Sequence, residues 1–180
     1  MKPAPVTLPA LLRRRLGDGA PAQWAGVGNI ALLDEPLLGL ISSRECPGQV
    51  LVETLERVPE WVNAGRVVAS GFHSPLEQQV LRSLLRRDGR AVKMLARGMT
   101  DYRPLVEERE AFVAGRLMVL TAFASSVQRV TRETALMRNQ HVVALSAELI
   151  VPYVSEDSPL ASLANRNDMR SLLEETMFHE

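Results

Sequence analysis

The sequence predicts an α/β chain, a Rossmann-like three-layer fold with a mostly parallel sheet flanked by helices. Three observations predict it. Short apolar runs recur at residues 37–41, 67–69, 91–96, 117–120 and 147–153. The segments between them carry apolar residues at helical spacing, so strand and helix alternate, as βαβ crossovers require. The runs are mostly continuous, with little apolar–polar alternation, which marks strands covered on both faces.

Taken in order, residues 1–33 read as a leader, with several prolines, the triplet Arg13-Arg14-Arg15 and a glycine-rich stretch from Gly17 to Gly28. Residues 8–16 have the length of two helical turns. Residues 34–180 read as the Rossmann-like domain. Its first strand, 37–41, ends in the loop signal Ser42-Ser43-Arg44-Glu45-Cys46-Pro47-Gly48. A helix over 49–63 places Val50, Leu51, Leu55, Val58 and Val62 near one face, and Ala64-Gly65 stops it. The strand at 67–69 stops at Ser70-Gly71. Ser74, Pro75 and Glu77 then stand as N-cap, first helical residue and capping-box acid of a helix that runs to about Arg87. Asp88-Gly89 turns the chain into the strand at 91–96. A short acidic helix follows over 104–114, a strand over 117–120, a long helix over 127–145, a strand over 147–153 and a final helix over 160–177.

The composition bounds the function. A chain of 180 residues that is 46% hydrophobic and 23% charged can bury a substantial core, which excludes global disorder. The 21 basic and 21 acidic residues cancel, which excludes a uniformly basic nucleic-acid binder. Their distribution is uneven. Residues 66–103 carry eight basic and three acidic residues, net +5, and residues 114–146 carry four and one, net +3. Positive charge therefore concentrates in the blocks that supply the loops after the strands. The single cysteine, Cys46, excludes an internal disulfide and a multi-cysteine zinc site. No stretch approaches the ~18 apolar residues of a membrane span, so the expectation is a soluble cytoplasmic protein without a membrane partner.

In open parallel sheets, ligands bind beyond the carboxyl ends of the strands. Those loops hold Ser42-Ser43-Arg44, Ser70-Gly71-Phe72-His73-Ser74, Arg97-Gly98-Met99-Thr100 and residues 121–126. Small hydroxyl residues, glycines and helix N-termini suit a phosphate-bearing ligand, and Arg44 and Arg97 add charge-assisted bonds. The same residues also serve ordinary turns and caps. His73 is the histidine best placed to meet a ligand; His141 lies within a helix and His179 near the C-terminus. Cys46 sits near a helix start, where a thiolate is favoured, although a lone cysteine in a turn is commonly incidental. There is no Gly-x-Gly-x-x-Gly, no Walker A lysine pattern and no Gly-x-Ser-x-Gly elbow, so no catalytic residue, metal or cofactor is assigned.

The ordered set Ile41-Ser42-Ser43-Arg44, Val67-Val68-Ala69-Ser70-Gly71, then residues 92–99, then Arg138-Asn139 with Ala144-Leu145-Ser146 resembles the DprA/Smf family of the SLOG superfamily. Asp101-Tyr102-Arg103-Pro104 echoes the third block of that family, and Leu149-Ile150-Val151-Pro152-Tyr153 the last. The resemblance covers about residues 37–160. It implies a Rossmann-like domain that binds single-stranded DNA, assists RecA in recombination and transformation, dimerises and is not an enzyme. Carried over by position, Arg44, Ser70, Gly71, Arg138 and Asn139 match the family's binding pocket, and with Ser43, His73 and Arg97 from the loops they form the phosphate or DNA-binding set.

The chain departs from the pattern in places. His73-Ser74-Pro75-Leu76-Glu77 replaces a stretch that has a basic residue in the family, with the acid kept as Glu77. Gln140 stands where the family has arginine, and Asp157-Ser158-Pro159 replaces a Ser-Gly-Ser segment. The alternative reading is a SLOG-type binder of a phosphate-bearing nucleotide or nucleotide-derived ligand. The phosphoribohydrolases of that superfamily carry a glycine-rich motif whose counterpart here, residues 121–133, lacks the glycines. Aromatic material for base stacking near the pocket is limited to Phe72, Tyr102 and Phe123.

Overall fold

The computed structural model describes residues 1–155 together with Ser158, Leu160 and Ala161. The helix predicted over 160–177 and His179 lie outside the described residues, apart from its first two positions. Five strands run parallel: β3 (Leu37–Leu40), β4 (Val67–Ser70), β5 (Arg90–Met94), β6 (Leu117–Thr121) and β7 (Glu148–Ile150). Helices α2 (Gly48–Asn63), α3 (Pro75–Arg86), α4 (Val106–Val113) and α5 (Arg132–Leu145) connect them. The sheet order is β1-β2-β6-β5-β4-β3-β7. β7 returns beside β3, so the order of connection reverses there and opens a crevice at the strand ends.

The leader is part of the sheet, which the sequence reading did not foresee. β1 (Ala4–Val6) pairs antiparallel with β2 (Trp24–Gly28), and β2 pairs antiparallel with β6. Helix α1 (Ala10–Leu16) lies between them and buries Leu12. Both strands are short and rich in Pro or Gly, which reads locally as loop; pairing with β6 supplies the backbone partners of β2, and β2 in turn supplies those of β1.

Two apolar layers sandwich the sheet. On one side Val58 and Trp61 of α2, Leu76, Val80 and Leu84 of α3 and Ala111 of α4 pack on Leu38, Leu40, Val68 and Val119. On the other, Leu8, Leu12 of α1 and Val142 and Leu145 of α5 pack on Leu37, Ala69, Val92 and Leu120. Because strand side chains alternate between faces, each run needed apolar residues throughout. The expected strands at 91–96 and 147–153 are shorter than their apolar runs, since pairing ends at Met94 and Ile150. The helix expected from residue 127 starts at Arg132, where Thr131 Oγ1 accepts the Thr134 N–H at 3.1 Å. Among the described residues, no helix is long and apolar enough to cross a membrane.

Candidate functional site

The capping box read from the sequence does more than begin a helix. Ser74 Oγ accepts the Glu77 N–H at 3.2 Å, as expected of a cap. The buried Glu77 carboxylate accepts three backbone N–H groups: His73 at 2.8 Å, Ser74 at 3.3 Å and, across the sheet end, Ser42 at 2.9 Å. One side chain thus ties the loop after β3 to the loop after β4. It also fills the anion position at the N-terminus of α3, the place the sequence offered to a ligand.

Arg138, on α5, is only 6% exposed and reaches into the gap between these loops. Its Nε donates to Asn139 Oδ1 at 2.7 Å and Nη1 lies 3.5 Å from the Met94 carbonyl. The guanidinium lies against Gly71. A Cβ built there would sit 2.6 Å from Arg138 Nε and nearer still to Cζ and Nη1, so only glycine leaves the space. Burial lowers the Arg138 pKa and the Glu77 charge opposes that fall. An arginine stays protonated across the working pH range, so this is a buried cation, costly unless something anionic meets it.

Two clefts meet along Arg138 and His73, which line both. The first, about 370 Å³, is bounded by Ser42–Glu45 after β3, by His73, Ser74 and Glu77, and by Arg132, Leu136, Arg138 and Asn139 on α5. The second, about 330 Å³, lies over the end of β5 between α3 and the residue before α4, with Arg97 and Val130 among its walls. Both open at the carboxyl ends of the parallel strands, where Rossmann-like sheets hold ligands.

The predicted residues fall into groups. Arg44, His73, Arg138 and Asn139 share the first cleft. Ser43 lines it too, but its Oγ accepts the Ser155 N–H at 2.9 Å, holding the segment after β7 in place. Ser70 is fully buried and caps the turn by accepting the Phe72 N–H at 3.1 Å, so it shapes the loop without facing the cleft. That turn carries Phe72 at φ 47°, a left-handed conformation unusual for a bulky residue. Gly71 and Arg97 line the second cleft, so the two loop arginines, Arg44 and Arg97, lie in different clefts. Sequence reasoning missed Arg132. Its signal was present, since Arg132, Leu136 and Asn139 stand at i, i+4 and i+7 on one helical face.

Among the described residues, Arg44, Arg97, Arg132 and Arg138 form no ion pair. The other two cations of the second cleft are paired. Lys93 Nζ lies 2.6 Å from the fully buried Glu108, which also accepts the Tyr102 hydroxyl at 2.7 Å, and Arg82 lies 3.8 Å from Glu107. Burial, followed by the hydrogen bond to Glu108, raises the Tyr102 pKa, so the phenol stays neutral and structural. His73 is depressed below the ordinary histidine range by partial burial, then by Arg138 and Arg44, with Glu77 opposing.

Several candidates resolve as structural. His141 packs edge-on against Trp24 with ring centroids 5.1 Å apart, and burial lowers its pKa to about 4. Burial raises the Cys46 thiol above its usual pKa against a smaller lowering by Ser42, the opposite of an activated thiolate. Phe72 and Tyr102 are buried, and Phe123 leans on His141. Among the described residues no group of histidine, cysteine and carboxylate side chains forms a metal site.

No curated protein matches the sequence. The fold matches DNA processing protein A from Helicobacter pylori, solved in a study of its single-stranded DNA binding mode, with a TM-score of 0.72 at 20% identity; the match covers 98% of this chain and 91% of that one. It also matches DNA processing protein A from Streptococcus pneumoniae with a TM-score of 0.71 at 19% identity, covering 96% of this chain and 60% of that one. The family model for DNA recombination-mediator protein A matches residues 6–163, which takes in helix α1, strand β2 and both clefts. The chain belongs to the DNA recombination-mediator protein A family.

Proposed function

We propose that this chain binds single-stranded DNA through its phosphates, with the first cleft as the principal phosphate site. The observation that carries the reading is the convergence of Arg44, Arg132 and Arg138 on one cleft with no ion-pair partner among the described residues. A phosphate accepts bidentate, charge-assisted bonds from guanidinium groups without regard to base identity. In this reading Arg44 and Arg138 hold a phosphate, Asn139 orients Arg138, and Gly71 makes room for it. Ser43 and Ser70 shape the two loops, His73 stands between the cations, and Arg97 meets a neighbouring phosphate. Family membership and the fold shared with the Helicobacter pylori protein support it.

The reading extends to a non-catalytic role in recombination or DNA uptake in the cytoplasm, with RecA and a second copy of the chain as partners. The test is fluorescence anisotropy with a labelled oligothymidylate across a salt series. Binding should weaken steeply with salt, and each of Arg44→Ala and Arg138→Ala should reduce the log–log salt slope by about 0.7. Absence of binding at low salt overturns the reading. The size of the first cleft, about 370 Å³, favours a second reading, a nucleotide-derived small ligand, since such volumes suit small-molecule sites. A thermal-shift comparison of mononucleotides with an oligonucleotide separates the two.

A further inference from the structure

We infer that Glu77 is a positioning residue for the bound phosphate: by tying the loop after β3 to the loop after β4, it sets Arg44 in place before any ligand arrives. The inference rests on the phosphate reading above and adds a residue that acts through Arg44 without touching DNA.

Arg44 is exposed, and its guanidinium has no ion-pair partner among the described residues. What fixes it is the backbone of the two residues before it. Ser43 binds the segment after β7: its N–H donates to the Tyr153 carbonyl at 3.0 Å and its Oγ accepts the Ser155 N–H at 2.9 Å. Ser42 is held from the other side, its N–H donating to Glu77 Oε1 at 2.9 Å. Arg138 is placed differently, by Asn139, the Met94 carbonyl and the space at Gly71. Glu77 therefore controls one cation of the cleft and leaves the other to its own partners.

The two carboxylate oxygens have separate partners. Oε2 accepts the His73 and Ser74 N–H groups at 2.8 and 3.3 Å, which closes the capping box within the loop after β4. Oε1 accepts the Ser42 N–H, 35 positions away in the sequence. A glutamine at this position keeps one acceptor oxygen, and glutamine closes a capping box as glutamate does. Its NH2 group then faces the Ser42 N–H, donor against donor. The tie between the loops is cut while the helix start survives.

The sign of the effect separates this role from simple electrostatics. Glu77 lines the phosphate cleft, and a negative charge there repels a phosphate. Charge alone therefore predicts tighter binding once Glu77 is neutralised, whereas loss of positioning predicts weaker binding.

The test is an anisotropy titration of the full chain with a labelled oligothymidylate across a salt series. It compares wild type, Glu77→Gln, Arg44→Ala, Arg138→Ala and Glu77→Gln combined with each alanine variant, with thermal melts to confirm folding. Glu77→Gln should weaken binding about tenfold, the loss of one charge-assisted contact. It should also lower the log–log salt slope by about 0.7, although no cation has been removed. In the Arg44→Ala background the same change should leave binding unchanged or slightly tighter, since only the relief of repulsion remains. In the Arg138→Ala background the loss of about tenfold should persist. Unchanged or tighter binding by Glu77→Gln alone overturns the inference, as does an equal loss with and without Arg44. Amide hydrogen exchange of the unliganded wild-type chain tests the same point without a substitution. The Ser42 N–H should be as protected as the strand amides, and rapid exchange there overturns a preset loop. Absence of oligothymidylate binding by the wild type at low salt overturns the phosphate reading and this inference with it.

Discussion

Gly71→Ala is the smallest change that should disable the first cleft while leaving the fold intact. The added Cβ would stand 2.6 Å from Arg138 Nε and closer to Cζ and Nη1, where real Cβ contacts are not found. The guanidinium must therefore leave its seat between the loops. The backbone at Gly71 is not in the left-handed region, so alanine itself is conformationally acceptable there. Alanine at a compatible site stabilises by roughly 0.4–1 kcal/mol through the unfolded chain, partly offsetting the repacking of Arg138. Stability should thus change by no more than about 1–2 kcal/mol. Binding should change more. A hydrogen bond to a charged group contributes about 1.5–3 kcal/mol, so losing one Arg138–phosphate contact weakens Kd by roughly ten- to a hundredfold. The assay is anisotropy titration of Gly71→Ala, Arg138→Ala and the double variant, with thermal melts in parallel. The two substitutions remove the same contact, so the double variant should bind no more weakly than Arg138→Ala alone. Wild-type affinity in Gly71→Ala, or effects that add in the double variant, would refute the argument that Gly71 exists to seat Arg138.

Three further outcomes are expected. Lys93→Met leaves the fully buried Glu108 unpaired and should cost about 3–5 kcal/mol in chemical denaturation, with Glu108→Leu added to it restoring part of the loss. His141 is buried neutral with a pKa of about 4 against an ordinary 6.5, so above pH 6.5 it adds no pH dependence. Between pH 6.5 and 4 only the unfolded chain takes up a proton, and stability should fall by up to about 1.4 kcal/mol per pH unit; His141→Phe should flatten that part of the melting-temperature profile. His73 is held below the usual range by burial and by Arg138 and Arg44, and a seated phosphate cancels the repulsion of those two cations. The bound state then has the higher histidine pKa, so affinity for single-stranded DNA should rise as pH falls below about 6.5, and His73→Ala should abolish the rise, measured by anisotropy across pH.

Most of the fold was legible because its determinants are local. The five parallel strands are apolar runs bounded by turn residues, and Ser74-Pro75-Leu76-Glu77 carries its helix start in four adjacent positions. The strands of the leader were not legible. Ala4-Pro5-Val6 and Trp24-Ala25-Gly26-Val27-Gly28 have little intrinsic preference for extended structure; β2 pairs with β6, some ninety residues away, and β1 pairs only with β2. The start of α5 was misplaced by five residues because the apolar pattern does not change there; the Thr131–Thr134 cap decides it.

By itself the sequence determined the layer architecture, the sites of the ligand-facing loops and the concentration of positive charge in them. Periodicity, capping and turn chemistry act over a few residues, and the carboxyl ends of parallel strands follow from topology. Only the tertiary structure decided which charges remain available. Lys93 is consumed by the buried Glu108 of α4, whereas Arg44, Arg132 and Arg138 come together from two elements with no acid of the described chain to neutralise them. It also decided that Glu77, an ordinary capping residue in the sequence, binds the Ser42 N–H 35 positions away, and that Gly71 is small so that Arg138 can lie on it. Charge pairing and steric fit are set by distances across the fold, and no local pattern encodes them.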